Sequence, residues 1–165
     1  MKIRTSLITL LAIMAVSTLS FAQASLKEDV DYIQREWGLK KTDVVKSYMD
    51  VKEPQATEFW KLYDAYEIER KALGKTRLML LNDYAMHAES LTPEKADEIA
   101  KATLKNNEAY QKLYTKYYKK AKKILGAVAA AKFIQAENAL QTAINHETQL
   151  AIPFIGELDK SKKTH

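Results

Sequence analysis

A stripe of apolar and aromatic side chains that recurs about every 3.5 residues is the feature that most constrains the fold. Between residues 50 and 88 the stripe contains Phe59, Leu62, Tyr63, Tyr66, Leu73, Leu80 and Tyr84. Such spacing places the side chains on one face of an α-helix, which would be roughly 50 Å long at about 1.5 Å per residue. Asp50, Glu53 and Pro54 are typical of a helix start, so we expect Asp50 to be the N-cap.

Two further stripes follow this helix. Thr92 and Pro93 predict the start of a third helix, and Gly126 predicts its end. The inner face of the third helix is predicted to contain Ala96, Ile99, Thr103, Asn107, Tyr110, Leu113, Tyr114, Tyr117, Ala121 and Ile124. A fourth helix is expected from Ala127 to about Pro153, with Phe133, Ile134, Leu140, Ile144 and Ala151 on its inner face.

The segment from Ser25 to Asp50 also has a helical pattern, and it is compatible with one bent helix or with two helices. Arg70 and Arg77 interrupt the stripe of the second helix, and Gly74 within it indicates a bend or a close helix contact. About four residues join the second and third helices, so they must fold back on each other. We therefore predict an all-α fold with four main helices and a long antiparallel hairpin.

The first 24 residues are typical of a secretory signal peptide. Lys2 and Arg4 precede an apolar run from Leu7 to Leu19, and Ala22 and Ala24 form an Ala-x-Ala cleavage pattern. We expect cleavage after Ala24, with Ala22 as the second choice. The alternative is an uncleaved membrane anchor, although the run is shorter than the ~20 residues that a spanning helix needs. The predicted location is the periplasm.

The remaining chain is predicted to form one helical domain over residues 25–159, followed by a basic tail over residues 160–165. Loss of Lys2 and Arg4 with the signal lowers the net charge from +5 to +3. The chain contains no cysteine, so no disulfide can stabilise it in an oxidising compartment. Stability must come from helix packing and, as we expect, from homodimerisation.

The histidines and acidic residues do not form a recognisable metal site. Asp83 and His87 are four residues apart on a helix, but zinc usually takes three or four protein ligands. His146 and Glu147 begin like a zinc-protease motif, yet Leu150 occupies the position of its second histidine. Neither His87 nor His146 has the glutamate three residues earlier that di-iron helical bundles use. We predict no metal and no cofactor.

No pattern of residues indicates catalysis. The sequence has neither a glycine-rich phosphate loop nor a Gly-x-Ser-x-Gly motif. We interpret the carboxylates of Glu67, Glu69 and Glu137 as parts of exposed helix surfaces. The prediction is that the protein is not an enzyme.

The third helix combines tyrosines with a dense set of lysines. The residues concerned are Tyr110, Tyr114, Tyr117, Tyr118, Lys116, Lys119 and Lys120. Such a face can bind single-stranded nucleic acid, which the exported location argues against. A second interpretation places the tyrosines in a half-buried helix seam and the lysines in water. A third is an adhesive surface for a partly unfolded partner, in which the lysines attract acidic segments.

Residues 51–155 resemble the Spy/CpxP-like periplasmic proteins in their divergent Bacteroidota form. The stretches that carry the resemblance are residues 55–67, 91–95, 116–120 and 131–137. The family motif is Leu-Thr-x-x-Gln at helix starts. At one site Leu91 and Thr92 match the motif, and Lys95 replaces its glutamine. At the other site Gln55 matches the glutamine, and Val51 and Lys52 replace Leu-Thr.

The resemblance implies a small, often dimeric, all-helical protein that binds non-native proteins without ATP. We therefore expect an exported chaperone-like protein whose partners are unfolded or partly folded envelope proteins, with no nucleic acid and no stable membrane span. The seven tyrosines and lysines of the third helix are the predicted client-binding residues. Because some relatives sense envelope stress and others bind zinc, the alternative is a stress- or metal-responsive regulatory protein without client binding.

Overall fold

The computed structural model describes residues 41–150, and for residues 147, 149 and 150 it describes the backbone only. This part contains three α-helices and no strand, which confirms the all-α class. They are α1 (residues 41–49), α2 (Gln55–His87) and α3 (Pro93–Leu150), with a short 3₁₀ turn at Ala88–Ser90. None of these helices combines the length and apolarity needed to cross a membrane. The predictions for the signal peptide, its cleavage, residues 25–40 and the basic tail lie outside the described residues.

The start of α3 is as predicted, whereas the start of α2 is not. Pro93 is the first residue of α3, and the Thr92 hydroxyl accepts a hydrogen bond from the Lys95 N–H at 3.2 Å. Asp50, however, has a φ of 45° and follows the last residue of α1, and α2 begins only at Gln55. The prediction that Asp50 caps α2 is wrong, because aspartate tolerates the left-handed conformation that ends a helix.

The first part of α3 runs antiparallel to α2. Three contacts between the helices show this, because later residues of α2 pair with earlier residues of α3. They are Asp83–Lys95 at 2.8 Å, Leu73–Asn106 at 3.1 Å and Glu69–Lys116 at 2.6 Å. The backbone of α2 stays helical through Gly74, beside the Leu73 carbonyl that accepts the Asn106 side-chain bond. Asn106 of α3a thus contacts the backbone of α2 at the residue before Gly74.

The chain reverses direction within α3 at Gly126, whose φ of 78° and ψ of 170° are not helical. The Tyr66 ring on α2 lies 5.2 Å from the Tyr117 ring and 5.4 Å from the Phe133 ring. In a straight helix, residues 117 and 133 would be about 24 Å apart, so the two parts of α3 must fold back on each other. We name them α3a (residues 93–125) and α3b (residues 127–150). The helix end predicted at Gly126 is therefore observed, but the two predicted helices form one element that bends there, so residues 41–150 contain three α-helices rather than four.

The core lies where α1, α2, α3a and α3b meet. Its buried apolar residues are Val45, Met49, Phe59, Tyr63, Tyr66, Tyr110, Leu113, Tyr114, Tyr117, Ala121, Ala130 and Phe133. Aromatic rings pack edge to face in it, as between Phe59 and Phe133 at 5.5 Å and 87°. On α3a the buried asparagine is Asn106, whereas the predicted Asn107 is exposed. The core is therefore mainly aromatic, and it also encloses polar side chains.

Candidate functional site

Four charged side chains are buried together in the core, and we call them the buried ion cluster. They are Lys41 on α1, Glu67 and Arg70 on α2, and Glu137 on α3b, each more than nine-tenths buried. Lys41 Nζ lies 2.6 Å from Glu67 Oε1 and 2.7 Å from the Glu137 carboxylate. Arg70 donates to both oxygens of Glu67, at 2.8 and 3.0 Å. The cluster joins α1, α2 and α3b, and its charges sum to zero.

Two tyrosines complete the hydrogen bonding of the buried ion cluster. The Tyr66 hydroxyl donates to Glu137 Oε2 at 2.6 Å, and Lys41 donates to the Tyr63 hydroxyl at 3.2 Å. Lys41 Nζ also lies 5.2 and 5.4 Å from the centroids of these two rings, which suits a cation–π interaction. Buried charges are tolerated when they are paired with an opposite charge and hydrogen-bonded. Each charge of the buried ion cluster has an oppositely charged partner and at least one hydrogen bond.

The environment of the buried ion cluster shifts the pKa values of its acids in opposite directions. Burial raises the pKa of Glu137, and Lys41 and Tyr66 offset this only in part. Burial also acts to raise the pKa of Glu67, but the hydrogen bond and charge of Arg70, together with Lys41, outweigh it and lower the pKa. Burial raises the pKa of Tyr63 and of Tyr66 far above the ordinary value, so both phenols stay protonated.

The interpretation of Glu67 and Glu137 as exposed surface residues is wrong. Glu137 is 0 % exposed, and its charge is balanced by Lys41, which lies ninety-six residues away in the sequence. Glu69 is partly exposed and bound to Lys116, as a surface residue would be. Because the acids of the buried ion cluster are fully engaged with its own cations and tyrosines, the arrangement suits a structural connection between helices.

The tyrosines and lysines of α3a separate into a buried set and an exposed set. Tyr110, Tyr114 and Tyr117 are buried, with Tyr117 only 1 % exposed, and Tyr118 is half-buried. The exposed set is Lys116, Lys119 and Lys120. This is the arrangement in which the tyrosines form the helix seam and the lysines face water. The prediction of an exposed surface is wrong for the three buried rings, because their spacing turns them toward α2 and α3b.

Tyr117 shows how the two sets are connected. Its hydroxyl donates to Glu69 Oε1 at 2.9 Å, and Lys116 and Lys120 lie 5.3 and 5.1 Å from its ring centroid. Burial and the bond to Glu69 raise the pKa of Tyr117 to about 12. The lysines therefore cover the edge of the seam while their charges remain at the surface.

Asp83 and His87, one pair considered as metal ligands, are engaged with protein groups. His87 Nδ1 lies 2.7 Å from the Asp83 carbonyl oxygen and 3.2 Å from Asp83 Oδ1. Lys95 Nζ lies 2.8 Å from Asp83 Oδ2. No group of three or more potential metal ligands comes together within residues 41–150.

Exposed apolar side chains form a line along α2, which we call the α2 apolar row. It consists of Ile68, Met79 and Met86, which are 73, 52 and 75 % exposed. At 3.6 residues per turn these positions lie within about 20° of one another around the helix axis and span roughly 27 Å. Leu104 on α3a is also exposed. Along the pair of helices it lies between the Asp83–Lys95 contact and the Leu73–Asn106 contact.

The fold and these features define an all-α protein with a buried ion cluster and an exposed apolar row on its long helix α2. The sequence matches no model of a known protein family, and no curated protein or solved structure is significantly similar to it. The Spy/CpxP-like resemblance therefore stays a prediction.

Proposed function

We propose that this is an exported, ATP-independent chaperone-like protein that binds unfolded or aggregation-prone envelope proteins. The observation that supports this most directly is the α2 apolar row, with Met79 and Met86 more than half exposed. Exposed apolar side chains on one helix face can together form part of a binding surface. Methionine suits varied partners because its side chain is flexible and polarisable. A periplasmic location, homodimerisation and a Spy/CpxP-like hairpin belong to the same proposal.

The lysines of α3a would contribute the electrostatic part of client binding. Lys116, Lys119 and Lys120 are exposed, and the half-buried Tyr118 lies next to Lys119 in the sequence. A positive surface raises the rate at which acidic segments of a client are encountered. In this mechanism the α2 apolar row covers the apolar segments of the client. The buried tyrosines stabilise the scaffold rather than contact the client.

The experiment is light scattering from a denaturing client protein with and without this protein. We expect the wild type to slow aggregation at an equimolar dose. The double variant Met79→Gln/Met86→Gln should lose about half of this effect or more, because each buried methionine contributes roughly 1.5–3 kcal/mol. The matched control is Val128→Gln, which removes an exposed apolar side chain beside Gly126, away from the α2 apolar row.

Three results would count against the proposal. Wild-type protein that does not slow aggregation at an equimolar dose would refute client binding. An equal loss in Val128→Gln and in the methionine variant would refute the role of the α2 apolar row. Calorimetric titration with zinc tests the regulatory alternative, which tight binding that is lost on replacement of His87 or His146 would favour.

A further inference from the structure

A polar cavity of about 370 Å³ lies between α2, α3a and α3b. Arg77 of α2, Tyr110 of α3a and Gln141 of α3b line it, and the other lining side chains are amides and hydroxyls. Arg77 is the single charged residue of this lining. The volume falls within the range of about 300–1,000 Å³ that is typical of small-molecule sites.

Several buried polar atoms around this cavity have no hydrogen-bond partner. They include Arg77 Nε, the Tyr110 hydroxyl and Gln141 Oε1, and Asn106 Oδ1 belongs to the residue next to the lining residue Asn107. Tyr110, Gln141 and Asn106 are all more than nine-tenths buried. An unpaired buried polar atom costs about 1–3 kcal/mol, and roughly 90 % or more of such atoms in native proteins are paired. Their concentration at one cavity therefore points to a binding site.

The two amide side chains present their oxygens as acceptors because their nitrogens are already engaged. Asn106 Nδ2 donates to the Leu73 carbonyl at 3.1 Å, and Gln141 Nε2 donates to Asn145 Oδ1 at 2.9 Å. The oxygens can therefore accept hydrogen bonds only from a group outside these pairs. A ligand in the cavity that pairs with Gln141 Oε1 must carry a donor such as a hydroxyl group.

The charge of the cavity is positive and unbalanced. Arg70 is neutralised by the bidentate pair with Glu67, whereas Arg77, seven residues later on the same helix face, forms no ion pair within residues 41–150. Burial raises the pKa of Tyr110, the nearby charges of Arg70 and Arg77 act to lower it, and the smaller effect of Glu67 acts to raise it. A ligand that fits must therefore carry a negative charge as well as hydroxyl donors.

We propose that this cavity binds a small anion that carries hydroxyl groups, of the sugar-acid or sugar-phosphate class. The anionic group accepts from Arg77 and from the Tyr110 hydroxyl. A hydroxyl group of the ligand donates to Gln141 Oε1. A neutral sugar lacks the charge, and inorganic phosphate lacks the hydroxyl-bearing body that would reach Gln141 from Arg77. The site does not depend on client binding, because it lies between helices rather than on the α2 apolar row.

The test is isothermal titration calorimetry of the purified protein with glucuronate, glucose 6-phosphate, glucose and inorganic phosphate. We expect at least one of the first two to bind with a Kd below about 1 mM, and glucose and phosphate to bind at least about tenfold more weakly. The tighter of the two anions identifies the preferred charged group. Arg77→Gln should abolish the binding. Lys61→Gln, which removes an exposed charge from the same helix, should leave it unchanged.

Tyr110→Phe separates a ligand-binding role from a structural one. Loss of one hydrogen bond to a charged ligand lowers the affinity by about tenfold or more. The melting temperature should not fall, because the hydroxyl that is removed has no partner within the protein. The proposal is overturned if neither anion binds, if both variants bind as the wild type does, or if Tyr110→Phe lowers the melting temperature together with the affinity.

Discussion

Replacement of Lys41 by methionine tests whether the buried ion cluster holds the helices together. The substitution keeps the apolar stem and removes the ammonium group that lies within 2.7 Å of both acids. Glu67 retains Arg70, but Glu137 is left fully buried with only the Tyr66 hydroxyl as a donor. Removing one partner of a buried ion pair costs about 3–5 kcal/mol. That is a large part of the roughly 5–15 kcal/mol by which a domain is stable.

The assay is urea unfolding followed by far-ultraviolet circular dichroism. With an m-value of about 2 kcal/mol/M, a loss of about 4 kcal/mol lowers the midpoint by roughly 2 M. The matched control is Lys116→Met, since the Lys116–Glu69 bridge has the same 2.6 Å length as Lys41–Glu67 but is partly exposed. This control should lose less than about 1 kcal/mol. Equal losses in the two variants would refute the claim that burial makes the cluster important.

Three further predictions concern the pH dependence, the reversal and the cap. Burial raises the pKa of Glu137 above the ordinary 4.5, so the contribution of Glu137 to stability falls as pH rises from 4.5 towards the raised pKa. The free energy of unfolding of Glu137→Gln, measured across this pH range, should increase relative to that of the wild type as the pH rises. A difference between the two proteins that does not change with pH would contradict the reasoning. Gly126→Ala should lower the stability measured by thermal unfolding by about 1–3 kcal/mol, because the φ and ψ at this site are essentially restricted to glycine. An added Cβ would meet no atom within 4 Å, so a steric clash does not contribute. An unchanged melting temperature would therefore refute the backbone explanation. Thr92→Ala should lower the stability by about 1 kcal/mol through loss of the cap to Lys95, whereas Thr92→Ser should retain it.

Periodicity identified the inner faces of α2 and α3a because those faces are mainly apolar or aromatic. Phe59, Tyr63, Tyr66 and Tyr117 were predicted on the stripes and are buried. A stripe of this kind is a local property, since the helix repeat alone decides which side chains share a face. The same reasoning predicted the start of α3 at Pro93, where the cap is made by neighbouring residues.

The inner face of α3b was predicted less well because part of it is polar. After Phe133, its next buried positions are Glu137 and Gln141 rather than apolar residues. A hydrophobic pattern cannot identify such positions, because Glu137 is buried only by virtue of Lys41 on another helix. Arg77 likewise interrupts the α2 stripe, and it became a candidate ligand contact only when the structure placed it beside Tyr110 and Gln141.

The sequence alone determined that the chain is helical and that a helix ends at Gly126, because helix periodicity and backbone freedom depend on neighbouring residues. Only the tertiary structure decided that Lys41 lies between two carboxylates and that Glu137 and Gln141 are buried. The stability of a buried charge depends on partners from distant parts of the chain, and helix packing brings those partners together.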